Sequence, residues 1–186
     1  MSELRYTTQA SKAVHEVREP AGLPWLFNGG TVSGDLPDIN VWLALAVEEH
    51  PHHAAAKQYW EGVQAKPAGE RNLWFCRVTM LGLVRLLSQP KVMGTGVLNL
   101  VQAMALYRQF RAVAGVDLLT EPKQCDSVLQ ALVVAHSTIQ LLPTRLWTDA
   151  YLAALAQSSG ARLVSFDQDF TRFDQTNQLI LSTRQL

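Results

Sequence analysis

From Leu36 onwards, short apolar runs alternate with longer segments of helical period. The clearest run is ARLVSF at 161–166, which has the length of a buried strand and follows a helical segment closed by Gly160. Strands that alternate with helices favour an α/β domain with a mainly parallel sheet. We predict such a domain over residues 36–186, preceded by an irregular N-terminal arm over 1–35, where Pro and Gly interrupt any regular element.

The period of the apolar residues and the positions of Gly and Pro define the expected elements. In the first half these are a strand ending near Asp38, helices over about 41–48 and 52–65, a strand over 72–79, and a helix over 80–88 that Thr79 caps and Pro90 follows. In the second half they are a loop over 91–96, a helix over about 97–112, a strand over 115–119, a helix over 123–137, a helix capped by Thr148, the strand 161–166 and an edge strand near 179–182.

The composition limits the partners and the compartment of the chain. Sixteen Lys and Arg residues balance 16 Asp and Glu residues, so a polyanion must be held by local groups or by a metal ion. Cys76 and Cys125 lie in separate apolar stretches and form no disulfide framework, which favours a reducing compartment. No apolar run approaches the roughly 20 residues of a membrane span. We expect a soluble, cytoplasmic protein that does not bind membranes.

Acidic residues follow the predicted strands. Asp38 ends the first strand, and Asp167 and Asp169 follow the strand 161–166. Asp149 lies at the start of a helix that a short loop can bring to the same edge of the sheet, where ligands of open α/β sheets bind. Converging carboxylates repel one another, and a hard divalent cation such as Mg²⁺ or Mn²⁺ is the usual reason to keep them together. The matching chemistry is hydrolytic phosphoryl transfer.

Each of these acids also has a structural explanation when it is taken alone. Asp38 can cap the following helix, and Asp149 can interact with the dipole in the first turn of its helix. Asp167 or Asp169 can be an ordinary turn residue. The functional prediction therefore depends on the four acids together.

Four stretches, in this order and spacing, resemble the PIN domain of VapC-type toxins from bacterial toxin–antitoxin pairs: LPDINVWLAL, HPHHAAAKQYW, FCRVTMLGLVRLLSQP and LWTDAYLAALAQSSGARLVSFDQDF. The resemblance spans about 36–182 and is most specific at its two ends. It implies a three-layer α/β/α fold and a ribonuclease that uses Mg²⁺ or Mn²⁺ and leaves 5′-phosphate and 3′-hydroxyl ends. It also implies RNA as the substrate, and an antitoxin and a second copy of the chain as partners.

The resemblance assigns roles to individual residues. The expected catalytic acids and metal ligands are Asp38, Asp149 and Asp167, with Asp169 as a fourth metal ligand. Supporting residues in the same stretches are Asn40, Thr79, Thr148 and Arg85. The Arg85 guanidinium can bind a phosphate or form a structural ion pair with an acid.

One position departs from the family pattern. The family usually has a Glu in the helix after the second strand, and aligning Thr79 and Leu83 with that motif places Gly82 at the Glu position. The alternative to an active ribonuclease is therefore a PIN-like module with a weakened site that binds RNA or a protein. A DNA-directed nuclease is a third reading, because nothing in the sequence identifies a reader of the 2′-hydroxyl.

Other candidate motifs have simpler interpretations. The histidine cluster comprises His50, His52 and His53, and the sequence offers no additional ligands to complete a zinc site. We predict that these histidines are surface or capping residues. The alternative is a contact with an RNA phosphate. The tryptophans predicted to lie in the core, not to stack on bases, are Trp42, Trp60, Trp74 and Trp147. Signatures of P-loops, Rossmann cofactor sites and serine hydrolases are absent from the sequence.

The arm poses a separate question. Its character resembles the C-terminal tail of an antitoxin, with Trp25, Leu26 and Phe27 as anchors in the groove of the domain. Arg18 or Glu19 could then reach towards the acids. The alternatives are an arm that packs elsewhere or is exchanged within a dimer.

Overall fold

The computed structural model describes residues 32–137 and 141–182, so the arm up to residue 31 and its predicted contacts lie outside it. In the described part, five strands form one sheet in the order β3-β2-β1-β4-β5. Their bounds are β1 Asp35–Pro37, β2 Leu73–Phe75, β3 Val116–Leu118, β4 Arg162–Ser165 and β5 Gln178–Ile180. Every pairing between neighbours is parallel. The prediction of a mainly parallel sheet with a final edge strand is confirmed.

Helices cover both faces of the sheet. Those in the described residues are α1 Ile39–Ala46, α2 His53–Gln64, α3 Arg77–Leu87, α4 Pro90–Met93, α5 Leu100–Ala112, α6 Cys125–Ser137 and α7 Trp147–Ser159. One apolar core, which includes Trp42, Phe75 and Leu83, joins the sheet to α1, α2, α3 and α5. A second core on the opposite face, which includes Leu36 and Leu155, joins it to α6 and α7. The predicted three-layer α/β/α architecture is confirmed.

Aromatic packing fixes the start of α1 against the sheet. The Trp42 ring is fully buried and stacks on the Phe75 ring of β2, with 3.8 Å between centroids. Phe110 of α5 meets the same indole edge-on at 5.3 Å. Such pairs contribute about 0.5–1.5 kcal/mol beyond the area they bury. Because Trp42 lies one helical turn after Asp38, this packing also fixes the position of that acid.

The prediction of a strand over 72–79 is wrong after Phe75. The chain turns into α3 at Arg77, because Cys76 and Thr79 form a reciprocal cap in which the Thr79 N–H donates to the Cys76 sulfur. The Cys76 N–H donates to the Thr79 hydroxyl over 3.0 Å. Thr79 is therefore the third residue of the helix and not its N-cap. The β-branched Val78 and Thr79 favour a strand by propensity, but the local hydrogen bonds decide the conformation.

Three further predictions are corrected by the structure. Residues 91–96 are not a loop, because Pro90 takes the first position of α4, where its missing N–H costs no hydrogen bond. Thr148 is not an N-cap, since a 3-10 turn at Thr144–Leu146 runs directly into α7. Trp147 does not lie in the core: it is 56% exposed. Within the described residues, no helix combines the length and the apolar character needed to cross a membrane.

Candidate active site

The topology brings two acids together at the carboxyl edge of the sheet. β1 and β4 are neighbours in register, with Pro37 opposite Val164, and the Asp38 N–H donates to the Val164 carbonyl over 2.8 Å. Asp38 directly follows β1, and Asp167 follows β4 after one intervening residue. Asp149 lies in the first turn of α7, which packs on the same part of the sheet.

The charges of neighbouring acids act on Asp38 and on Asp149. Burial, together with the charges of Asp149 and Asp167, raises the pKa of Asp38 to about 6. Burial and the charges of Asp167 and Asp169 raise the pKa of Asp149 to about 6 as well. The neighbouring carboxylates therefore make Asp38 and Asp149 harder to ionise, which a bound cation would reverse.

Ser165, which the sequence analysis did not single out, connects the site residues. Its fully buried hydroxyl donates to Asp38 Oδ2 over 3.1 Å. It accepts from the Asn40 side-chain amide over 2.9 Å and from the Asp167 N–H over 3.0 Å. The Asn40 carbonyl oxygen in turn accepts from the N–H of Phe166 over 3.3 Å. Asn40 therefore supports the site through Ser165 and the loop after β4.

Asp167 and Asp169 have different environments. The Asp167 Oδ1 accepts from the Asp169 N–H over 2.8 Å, which forms the turn that the sequence suggested as an alternative. Asp169 accepts from Arg145 over 2.6 Å and from Arg172 over 3.1 Å, and these hydrogen bonds hold the pKa of Asp169 below its usual range. Both Asp169 oxygens are thus engaged by arginines.

The second strand contributes no carboxylate to this edge. The residue that directly follows β2 is Cys76. Burial, and to a smaller extent the charge of Asp38, raises the pKa of its thiol. Gly82, at the family's Glu position, lies against Ile39 of α1: a Cβ at Gly82 would overlap the terminal methyl group of Ile39. The place of the Glu side chain is therefore filled in part by the residue that follows Asp38.

The donor set suits a hard cation that keeps most of its water. All candidate ligands are carboxylates, and Asp149 accepts no hydrogen bond from the described residues, which leaves its oxygens available. Across residues 32–137 and 141–182, no three His, Cys, Asp or Glu side chains are arranged to hold one metal ion together. Mg²⁺ commonly binds through one or two carboxylates with several waters, so the residues present fit such an ion.

Within the described residues, the remaining predicted supporting residues form no hydrogen bond or ion pair with the acids. Thr79 is buried in the cap of α3, and Thr148 is exposed in the first turn of α7. Arg85 is exposed in the last turn of α3, about 12 Å along the helix from its start at 1.5 Å per residue.

The histidine cluster connects the α1–α2 loop to the segment after β4. The His50 Nδ1 accepts from the His52 N–H over 3.1 Å, and the His53 Nδ1 lies 2.8 Å from the carbonyl oxygen of Ala44. The His52 ring stacks on Phe166, with 4.5 Å between centroids. Burial, followed by the charges of His52 and His53, lowers the pKa of His50. All three histidines are half-buried, and His52 holds the N-cap position of α2 without a side-chain capping hydrogen bond, so they are packing residues and not the surface or side-chain capping residues that the sequence predicted.

Comparison with known proteins identifies the family. The PIN domain family model matches residues 36–175. Ribonuclease VapC41 of Mycobacterium tuberculosis is 34% identical over 142 residues, which cover 74% of this chain and 92% of that protein.

Solved structures share the fold at low sequence identity. VapBC2 from Rickettsia felis, bound to a DNA fragment from its promoter, has a TM-score of 0.60 at 13% identity and covers 80% of this chain and 99% of its own. VapC20 of Mycobacterium tuberculosis, a toxin that cleaves the sarcin-ricin loop, has a TM-score of 0.52 at 18% identity and covers 75% of this chain and 93% of its own. On the sequence matches, the chain belongs to the PIN domain family and, within it, to the VapC-type ribonucleases.

Proposed function

We propose that the chain is a metal-dependent endoribonuclease, the toxin of a toxin–antitoxin pair, which hydrolyses RNA phosphodiester bonds with Mg²⁺ or Mn²⁺. The convergence of Asp38, Asp149 and Asp167 at one edge of the sheet carries this proposal. Burial and mutual repulsion raise the pKa of Asp38 and of Asp149 to about 6, a cost that a divalent cation would offset. The ribonuclease name of the 34% identical relative supports RNA as the substrate.

The three acids have different roles in this proposal. When bound, the cation would supply positive charge to the phosphodiester and acidify water. Asp38 is held by the Ile39 N–H on Oδ1 over 2.6 Å and by Ser165 on Oδ2, so it is a fixed ligand. Asp167 is fixed by its turn and by its N–H to Ser165. Asp149 accepts no hydrogen bond from the described residues, so its oxygens can bind the cation, which would lower the raised pKa and keep the carboxylate ionised.

The decisive experiment combines cleavage with metal binding. Purified protein is incubated with a mixed RNA pool and Mg²⁺ or Mn²⁺, with chelator and Asp149→Asn as controls, and metal binding is titrated by calorimetry. Cleavage that both controls abolish is the expected result. Cleavage that persists in chelator, or in Asp149→Asn with undiminished metal affinity, contradicts the proposed site.

The second candidate function is a PIN-like module that binds RNA or a protein without cutting. The packing of Gly82 on Ile39 favours it, because a carboxylate of the family pattern is replaced there by an apolar contact. Gly82→Glu combined with Ile39→Ala makes room for the acid. A large gain in metal affinity and cleavage over Ile39→Ala alone would support a weakened site, whereas an active parent with no gain would support a complete three-acid site.

We further propose that the toxin binds an antitoxin and a second copy of itself. Leu81, Leu100 and Val101 are apolar and exposed on α3 and α5, as expected of a surface that meets a protein partner. Multi-angle light scattering tests the dimer: a mass of twice 20.6 kDa is expected for the parent, and the monomer mass for Val101→Asp.

A further inference from the structure

Two arginines share one carboxylate beside the acid group. Asp169 Oδ2 accepts from Arg145 Nη1 over 2.6 Å, and Asp169 Oδ1 accepts from Arg172 Nε over 3.1 Å. The Asp169 side chain is 25% exposed, against 63% for Arg145 and 49% for Arg172. The carboxylate is therefore the sheltered centre of the triad, and the two guanidinium groups face solvent.

The two arginines lie on the segments that carry the acids. Arg145 belongs to the 3-10 turn Thr144–Leu146 and precedes Asp149 by four residues. Arg172 ends the 3-10 turn Gln168–Arg172, which starts directly after Asp167. The positive charge of Arg145 lowers the pKa of Asp149, against the increase that burial and the other acids cause. The Arg145 guanidinium is thus within electrostatic reach of the site.

The geometry leaves most of the donors available. A guanidinium has five N–H donors, and among the described residues each of the two arginines donates one of them to Asp169. Exposed ion pairs contribute little to folding stability, so replacing either arginine should leave the fold intact. Arg145 also lies within electrostatic reach of Asp149 and Asp167, so the triad supplies positive charge at the border of a group that is otherwise acidic.

We propose that Asp169 positions Arg145 and Arg172 to bind a phosphate of the RNA strand as a clamp. This phosphate would lie next to the phosphodiester that is hydrolysed at the acid group. Guanidinium groups recognise phosphate through paired hydrogen bonds, and a carboxylate that holds them in place reduces the entropy lost on binding. In this assignment Asp169 is a positioning residue and not a metal ligand. The exposed indole of Trp147 lies two residues after Arg145, and aromatic side chains beside basic groups are typical of surfaces that bind single strands. The inference rests on the proposed ribonuclease function.

RNA binding without cleavage tests the clamp. The affinity of the full chain for a fluorescein-labelled, single-stranded RNA of mixed sequence is measured by anisotropy in chelator, over a series of KCl concentrations. Arg145→Gln and Arg172→Gln are each expected to lower the affinity roughly tenfold. Each should also reduce the slope of log affinity against log salt by about 0.7, the value for one phosphate contact on a single strand. Arg108→Gln, an exposed arginine on α5, is the matched control and should change neither quantity.

The outcomes separate this inference from the proposed function. If the parent neither binds nor cuts RNA, the ribonuclease proposal fails. If the parent binds RNA and both site variants behave like Arg108→Gln, the clamp alone is overturned. Asp169→Asn supplies an independent readout: its affinity for Mg²⁺ by calorimetry should stay within about twofold of the parent, because one or two other carboxylates suffice for Mg²⁺. A loss as large as that of Asp149→Asn would make Asp169 a metal ligand and contradict the assignment.

Discussion

The hydroxyl of Ser165, the last residue of β4, donates to Asp38 Oδ2 over 3.1 Å. Asp38 directly follows the neighbouring strand β1. The Ser165 oxygen also accepts from Asn40 and from the Asp167 N–H. A single buried side chain therefore determines the relative positions of two acids and of the amide that supports them.

Ser165→Ala is expected to destabilise the protein by about 1–3 kcal/mol, because the Asn40 amide and the Asp167 N–H lose a buried acceptor. It should also raise the pKa of Asp38 further, since the Ser165 hydrogen bond lowers that pKa in the parent. Urea denaturation measures the first effect, and a pH titration of the Asp38 carboxyl group by NMR measures the second. Ser137→Ala, at the exposed end of α6, is the control, and equal stability of the two variants would contradict the role of Ser165.

The stability of the metal-free protein should decrease as the pH rises from 5 to 7.5. The pKa of Asp38 and that of Asp149 are raised from 3.8 to about 6 in the folded state, so the folded chain binds more protons than the unfolded chain in this range. The free energy of unfolding therefore falls with pH, by about 1 kcal/mol for each acid.

The difference between the parent and Asp38→Asn, measured by urea denaturation at each pH in chelator, isolates this contribution from other titrating groups. Removal of the Asp38 carboxylate should flatten the profile, and Glu61→Gln, an exposed acid on α2, should leave it unchanged. If Asp38→Asn does not flatten the profile, the pKa of Asp38 is not raised in the folded state. Saturating Mg²⁺ should stabilise the parent more at pH 7.5 than at pH 5, because protons compete with the cation.

Two helical glycines should respond to replacement by alanine to different extents. Gly62 of α2 has no atom within 4 Å of an added Cβ, so Gly62→Ala should stabilise by about 0.5–1 kcal/mol through helix propensity alone. At Gly82 the added Cβ meets the terminal methyl group of Ile39, a half-buried side chain that must turn away, so Gly82→Ala should gain less than Gly62→Ala.

A double-mutant cycle with Ile39→Ala checks the cause. In that background Gly82→Ala should gain as much as Gly62→Ala, with a coupling of about 0.5 kcal/mol between the two sites in thermal or urea unfolding. Additive effects would mean that the Ile39 methyl group does not limit residue size at Gly82.

Asp35→Asn should destabilise the protein by about 2–4 kcal/mol, because it breaks a largely buried pair. Arg162 donates to both oxygens of Asp35 over 2.8 and 2.9 Å, and the Tyr59 hydroxyl donates over 2.8 Å. The Asp35 side chain is only 6% exposed. Asp117→Asn is the matched control: Asp117 pairs with Arg111 on the exposed edge strand β3 and should cost less than about 1 kcal/mol. Equal losses in urea denaturation would contradict the importance of burial.

The sequence predicted the sheet and most helices because apolar period and chain breakers determine those elements locally. Asp38 and Asp167 could be placed at one edge of the sheet because both follow strands. The boundary at Cys76 could not be predicted, since sulfur is a rare cap and Val78 and Thr79 suggest a strand.

Tertiary contacts decided the remaining features. Ser165 looked like an ordinary strand residue, and the available signal was a lone hydroxyl in the apolar run two residues before Asp167. Trp147 looked like a core residue by composition, but the direct passage from the 3-10 turn into α7 leaves the indole exposed. Arg172 pairs with Asp169 three residues away, but the second pair, with Arg145, depends on a contact across 24 residues that no local pattern reveals.

β1 has only three residues, yet it is fastened to β4 at both ends, by Asp35 to Arg162 and by Asp38 to Ser165. A shift of one residue between these strands would break both attachments and turn each side chain to the opposite face. The geometry of the acid group therefore depends on the register between β1 and β4. An engineer who transplants this site needs to carry over the far end of the strand as well, because the pair at Asp35 keeps Asp38 in register.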